Sequence, residues 1–137
     1  MKVQAKWVED YRFIGSNEKG HGLIMDGSGG EGRLGNSPME LLLLGVAGCS
    51  GIDVVHILKK SREDVQDCIV EVEGTRADTE PKVFTDIHMI YTVYGNNLSN
   101  DKVERAVSLS AEKYCSASVM IGQVANITRE IIIKAAE

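Results

Sequence analysis

Residues 37 to 60, SPMELLLLGVAGCSGIDVVHILKK, constrain the fold of this chain more than any other stretch. Ser37 supplies a hydroxyl cap, Pro38 takes the first helical position, and Glu40 stands three residues after the cap, where its carboxylate can bond back. The segment therefore starts a helix at a defined residue and ends it at Lys59 and Lys60, whose charges suit the carboxyl-terminal dipole. Inside it, Gly45, Gly48 and Gly51 surround Cys49, and each glycine costs about 0.8–1.0 kcal/mol of helix propensity relative to alanine. A missing Cβ lets another helix approach or leaves room for a ligand beside the sulfur; close helix packing alone would also account for all three.

The rest of the chain must give this helix a partner. A length of 137 residues with 43% apolar content suits one domain over residues 1–137, and 5% aromatic residues leave Val, Ile, Leu, Met and Ala to build its core. The net charge of -5 makes nucleic acid and anionic membrane surfaces poor partners. The amino-terminal MKVQAKWVEDYRF alternates polar and apolar residues and does not read as a leader, so a cytoplasmic location is expected. The longest apolar run, Leu41 to Cys49, falls short of the roughly 20 residues a bilayer requires, and Asp53 follows it, so no membrane span is expected.

Before the helix, Val3, Ala5 and Trp7, then Tyr11 and Phe13, alternate in short runs that lead through GSNEKGHG into LIMD, the pattern of an antiparallel meander. Residues 26–36, DGSGGEGRLGN, carry too much glycine for regular structure and read as a mobile loop or an arm. After the helix, CIVEVEGTRA and KVFTDIHMIYTVYG alternate as two strands joined at DTEP, a hairpin link. Val103, Ala106, Val107, Ser110, Ala111 and Tyr114 share one helical face, predicting a second helix from about Asp101 to Cys115, and residues 127–134 form a last strand. Three strands, helix, two strands, helix and strand, joined mainly by hairpins, define an α+β protein.

Cys49, Cys68 and Cys115 are widely spaced, with no CxxC pair and no metal-ligand cluster, so neither a structural zinc site nor a disulfide scaffold is expected. Two packed helices would bring Cys49 and Cys115 together, either as a reactive pair or as two small hydrophobes in an interface. Asp53 and His56 follow Cys49 by four and seven positions and share its face. His56 stands about 10 Å along the axis, too far for direct proton transfer, and an anionic Asp53 opposes thiolate formation. Glu40 lies about half a turn out of phase with Cys49 and faces away unless the glycines distort the helix. Cys68, in phase with Val70 and Val72, reads as a core residue.

SPMELLLLGVAGCSGIDVVHIL together with SAEKYCSASVM resembles the OsmC/Ohr family of thiol peroxidases, and more closely its OsmC-like branch. The resemblance covers the whole chain. It implies sheets wrapped around two long central helices in an intertwined homodimer, with two sites at the subunit interface and no cofactor or metal. It further implies that Cys49 attacks an organic hydroperoxide, that Cys115 resolves the resulting sulfenic acid as a disulfide, and that an external dithiol resembling dihydrolipoamide restores both. The family's activating arginine matches Arg12 best, with Arg33 the next choice. Members with strong activity carry glutamate directly after the helix-starting proline; here Met39 holds that position and the acid is Glu40, so the arginine–glutamate pair is absent or differently built. Ser116 stands where the peroxidase motif often has proline.

The apolar lining from Leu41 to Val46 favours alkyl or aryl hydroperoxides over hydrogen peroxide, since each buried CH₂ contributes about 0.8 kcal/mol. A rival reading is a noncatalytic dimer that uses the same cavity to bind an apolar ligand or to sense oxidants.

Overall fold

The computed structural model describes residues 1–137 and resolves two compact units, Met1–Leu42 and Leu43–Glu137, divided within the long helix. The first unit is the expected antiparallel meander of β1 (Val3–Glu9), β2 (Arg12–Asn17) and β3 (Gly22–Asp26). Asp10 turns the first hairpin at a φ of 44°. The second turn is tied by the Asn17 side chain, whose oxygen accepts the amides of Lys19 and His21.

The glycine-rich segment after β3 is irregular, as its composition requires, but it is anchored. Asp26 is fully buried, and its carboxylate accepts the Ser28 amide at 2.8 Å, the Leu34 amide at 3.0 Å and Arg12 Nε at 3.1 Å. These bonds, the Leu34 amide foremost, hold the Asp26 carboxyl far below its ordinary range. The loop is thus wrapped around one carboxylate.

Helix α1 spans Pro38–Lys60. Its capping box forms as the sequence predicts: the Glu40 amide donates to Ser37 Oγ at 3.1 Å, and Glu40 Oε2 accepts the Ser37 amide at 2.7 Å. By length and composition alone α1 would suffice for a membrane crossing, with a mean hydropathy of 2.0 in its most apolar window. It nevertheless turns one fully buried stripe, Val46, Ser50, Val54 and Leu58, inward at a spacing of four residues.

In the second unit, β4 (Asp64–Arg76), β5 (Phe84–Asn96) and β6 (Asn126–Ala135) form a sheet in that order. The β4–β5 pair is antiparallel, whereas β6 runs parallel to β5, because the chain returns to the sheet through a helical crossover rather than a hairpin. The central strand β5 buries Ile87, Met89, Tyr91 and Val93, which with the α1 stripe and Val103, Ala106 and Val107 make the core. Each such aliphatic side chain contributes about 1.5–3 kcal/mol on burial.

The second helix is shorter than its apolar spacing predicts. Helix α2 covers Asn100–Leu109, capped by Ser99, and passes into a π-helical turn over Ser110–Tyr114. The Cys115 amide bonds back to the Ser110 carbonyl at 2.8 Å, and Cys115 itself is extended, with ψ at 90°. A further short helix, α3 (Ser116–Ile121), follows. Tyr114, counted with the core face in the sequence pattern, is 49% exposed, because the wider turn rotates it outward.

Candidate active site

The site is built from adjacent stripes of α1. Ser50 belongs to the buried stripe, and Cys49 and Asp53, one turn apart, stand beside it, half-buried. From the other side the π-turn delivers Ser110 and places Cys115, completely buried, at the break between helices. The two sulfurs and an Asp53 carboxylate oxygen lie within 4.8 Å of one another. The fold thus gathers donors that their sequence spacing leaves far apart.

A buried chain of hydroxyls supports this group. Tyr91 Oη lies 2.6 Å from Ser50 Oγ, Ser50 Oγ lies 3.1 Å from Ser110 Oγ, and Ser110 donates to Asp53 Oδ2 at 3.0 Å. The Asp53 carboxylate only accepts, which fixes the order: Ser110 gives its proton to Asp53, Ser50 gives its own to Ser110, and Tyr91 donates to Ser50. Burial raises the Tyr91 phenol above its ordinary value, while the Ser50 bond and the Arg129 guanidinium pull it down.

Arg129 is the functional candidate that sequence reasoning missed. It lies on β6 in register with Met89, and its Nε is buried with no hydrogen-bond partner. The signal was available in NITREIIIKA, where Arg129 shares alternate positions with Ile127, Ile131 and Ile133, so a cation interrupts an apolar face.

Cys115 is held as a thiol. Burial raises it above the ordinary thiol range, the neighbouring Cys49 adds to the effect, and Ser118, whose amide reaches Cys115 Sγ at 3.4 Å, opposes it. Cys115 Sγ also caps α3 through that contact.

The other predicted residues have their own partners. Arg12 pairs with Asp26 at 3.1 Å and with Glu9 at 2.8 Å, and Glu40 pairs with Arg33 at 2.7 Å while capping α1. The amide of Ser37 and the guanidinium of Arg33 lower the Glu40 carboxyl. His56, exposed, lines with Asp53, Lys60, Lys102, Arg105 and Tyr114 a cleft of about 640 Å³. Cys68 is half-buried rather than a core residue, beside Gly48 and Gly51 in a shallow groove, and burial followed by the Asp67 charge raises its thiol.

The chain is thus an α+β protein that brings two of its three thiols together, one on a helix against a mixed sheet and one at a π-turn break. The family model for OsmC-like protein matches residues 28–130, and the chain belongs to that family. Protein YhfA of Escherichia coli is 44% identical over 136 residues, covering 99% of this chain and 100% of that one. The crystal structure of a hypothetical protein from Aquifex aeolicus matches with a TM-score of 0.88 at 32% identity, covering 99% of this chain and 97% of the other. The Organic Hydroperoxide Resistance Protein OhrB of Bacillus subtilis shares the fold at a TM-score of 0.65 and 20% identity, over 95% and 96% of the two chains.

Proposed function

We propose that this protein is a thiol peroxidase of the OsmC-like family that reduces organic hydroperoxides. The observation that carries the reading is the approach of Cys49 and Cys115 to within 4.8 Å around a half-buried and a buried thiol. Family membership and the hydroperoxide-resistance protein among its structural relatives support a redox, peroxide-related role. The Cys49 thiolate attacks the terminal peroxide oxygen, the O–O bond breaks, and the alkoxide takes a proton to leave as an alcohol. Cys115 then displaces hydroxide from the Cys49 sulfenic acid; the thiol proton and the hydroxide leave as water, and the S–S bond closes to about 2.05 Å. An external dithiol of the dihydrolipoamide kind reduces the disulfide and is itself oxidised.

In the same proposal Arg12 supplies the activating cation and Glu40 the acid that orders the neighbouring arginine. The chain works as one domain within a homodimer in a reducing cytoplasm. Exposed apolar residues of α1 support the dimer, with Ile52 at 73% and Leu44 at 53% exposure. The test treats reduced protein with one equivalent of cumene hydroperoxide and maps the cysteines by peptide mass spectrometry before and after dihydrolipoamide. A Cys49–Cys115 disulfide that the dithiol reverses is expected; full peroxide turnover by Cys49→Ser would refute the reading.

The cleft beside Asp53 favours a second reading, a noncatalytic ligand-binding or oxidant-sensing dimer. Repeated turnover with a dithiol separates the two, since a sensor oxidises without cycling.

A further inference from the structure

We infer that Cys49, Cys115 and Asp53 form a site for a thiophilic divalent cation of the zinc type. Two thiols and a carboxylate are a mixed sulfur and oxygen donor set that such ions accept, and all three donor atoms lie within 4.8 Å of one another. A tetrahedral ion with bonds of about 2.3 Å to sulfur and about 2.0–2.2 Å to oxygen separates its donors by roughly 3.5–3.8 Å. The three groups therefore need to close by only about 1 Å, a movement side-chain torsions supply. Three protein ligands leave a fourth position for water or a small anion.

The groups around the donors suit this occupant. Ser110 donates to Asp53 Oδ2 at 3.0 Å, which orients the carboxylate and leaves Oδ1 free. The Ser118 amide points at Cys115 Sγ from 3.4 Å, a bond that a metal thiolate also accepts. Three ligands that are all anionic when bound repel one another in a half-buried pocket, and a dication between them reverses the sign of that interaction. Asp53 stands beside both sulfurs, where its carboxylate serves a cation directly. The binding does not depend on the peroxidase reading. Its consequence does: an ion held by both sulfurs withholds Cys49 from peroxide and acts as a reversible inhibitor.

The test titrates anaerobically reduced, full-length protein with Co²⁺ and follows sulfur-to-cobalt charge-transfer absorption, then displaces it with Zn²⁺. The expected result is one ion per chain, bleached by one equivalent of Zn²⁺, with the band lost in Cys49→Ser and Cys115→Ser and kept in Cys68→Ser. Since Cys115 is buried and its variant can fail to fold, Asp53→Asn is a second arm, expected to weaken Co²⁺ binding at least tenfold. No charge-transfer band, or an unchanged titration in Asp53→Asn, overturns the site. Peroxide turnover is measured in the metal-free sample alongside: turnover without cobalt binding refutes the cation site alone, and cobalt binding without turnover refutes the peroxidase alone.

Discussion

The hydroxyl chain from Tyr91 to Asp53 can be tested by cutting it at Ser50 and Tyr91 separately and together. Both side chains are buried, Tyr91 fully and Ser50 at 1% exposure, so water cannot replace a lost partner without opening the core. Ser50→Ala removes two hydrogen bonds and leaves the Tyr91 hydroxyl proton the Met89 sulfur, 3.6 Å away, as its acceptor. A buried hydrogen bond contributes about 1 kcal/mol net, and a buried donor moved onto a weak acceptor loses about 1 kcal/mol more, so the expected cost is about 2–3 kcal/mol. Tyr91→Phe removes one donor and leaves Ser50 still bonded to Ser110, for an expected cost of about 1–2 kcal/mol. The double variant loses the shared bond only once, so its cost falls short of the sum by about 1 kcal/mol. Urea unfolding at fixed protein concentration under reducing conditions measures all three, with an unchanged m-value as the check on two-state behaviour. Costs that add to within about 0.3 kcal/mol would show that the bond between Ser50 and Tyr91 does not hold in solution and would remove the argument for a directed chain.

Other expectations follow from individual groups. Asp26 has a depressed carboxyl, so its contribution to stability is present above the ordinary value of about 3.9 and is lost as pH falls below it; Asp26→Asn should abolish that acid dependence and open residues 27–36 to limited proteolysis. Cys115 has a raised thiol, so its contribution is present below about 8.5 and declines as pH rises through the folded value. Alkylation of Cys115 in folded protein, followed by mass spectrometry, should therefore inflect at higher pH than in urea; coincident curves would contradict this. Arg12→Ala should lower the rate of Cys49 oxidation by peroxide at least tenfold while Arg129→Ala changes it less, and the reverse order in stopped-flow measurements would move the activating role to Arg129. Gly48→Ala should weaken self-association measured by sedimentation, whereas Gly51→Ala acts on the stability of the chain; equal association of both variants with wild type would count against a partner seated at Gly48.

Legibility in the sequence tracked how local the determining interaction is. Ser37, Pro38 and Glu40 fix the start of α1 within four residues, and the structure forms the capping box they specify. Strand alternation likewise located β4 and β5, because the period of two is written in neighbouring residues. Where the determinant was distant, the reading stopped short. Apolar spacing carried the second helix through Cys115, but the π-turn at Ser110 widens it, and Ser110 sits there within a network running to Ser50 and Tyr91, 60 and 19 positions away along the chain in the case of Ser50 and Tyr91 respectively. The parallel pairing of β6 depends on a crossover, which strand patterns do not encode. Glycine density in residues 26–36 suggested mobility, since nothing in the composition shows that one buried carboxylate collects the loop amides.

The three glycines of α1 have different explanations once their surroundings are compared. Gly51 faces its own chain: a Cβ there would lie 3.2 Å from Val70 Cγ2 on β4, and that methyl would have to give by a few tenths of an ångström. Gly45 and Gly48 meet no such neighbour, as nothing lies within 4 Å of the Cβ each lacks. Their cost of about 0.8–1.0 kcal/mol apiece is therefore not offset inside this chain. They flank Cys49 on a helix that also leaves Leu44 and Ile52 in solvent, so the unmet glycines and the unmet apolar side chains belong to one helix and call for one covering partner. In the proposed homodimer a second copy would supply that cover and wall the thiol at the same time. The chain by itself completes the sulfurs, the carboxylate and the hydroxyls behind them; what shields Cys49 on its open side is the part of the site that a single copy leaves unbuilt.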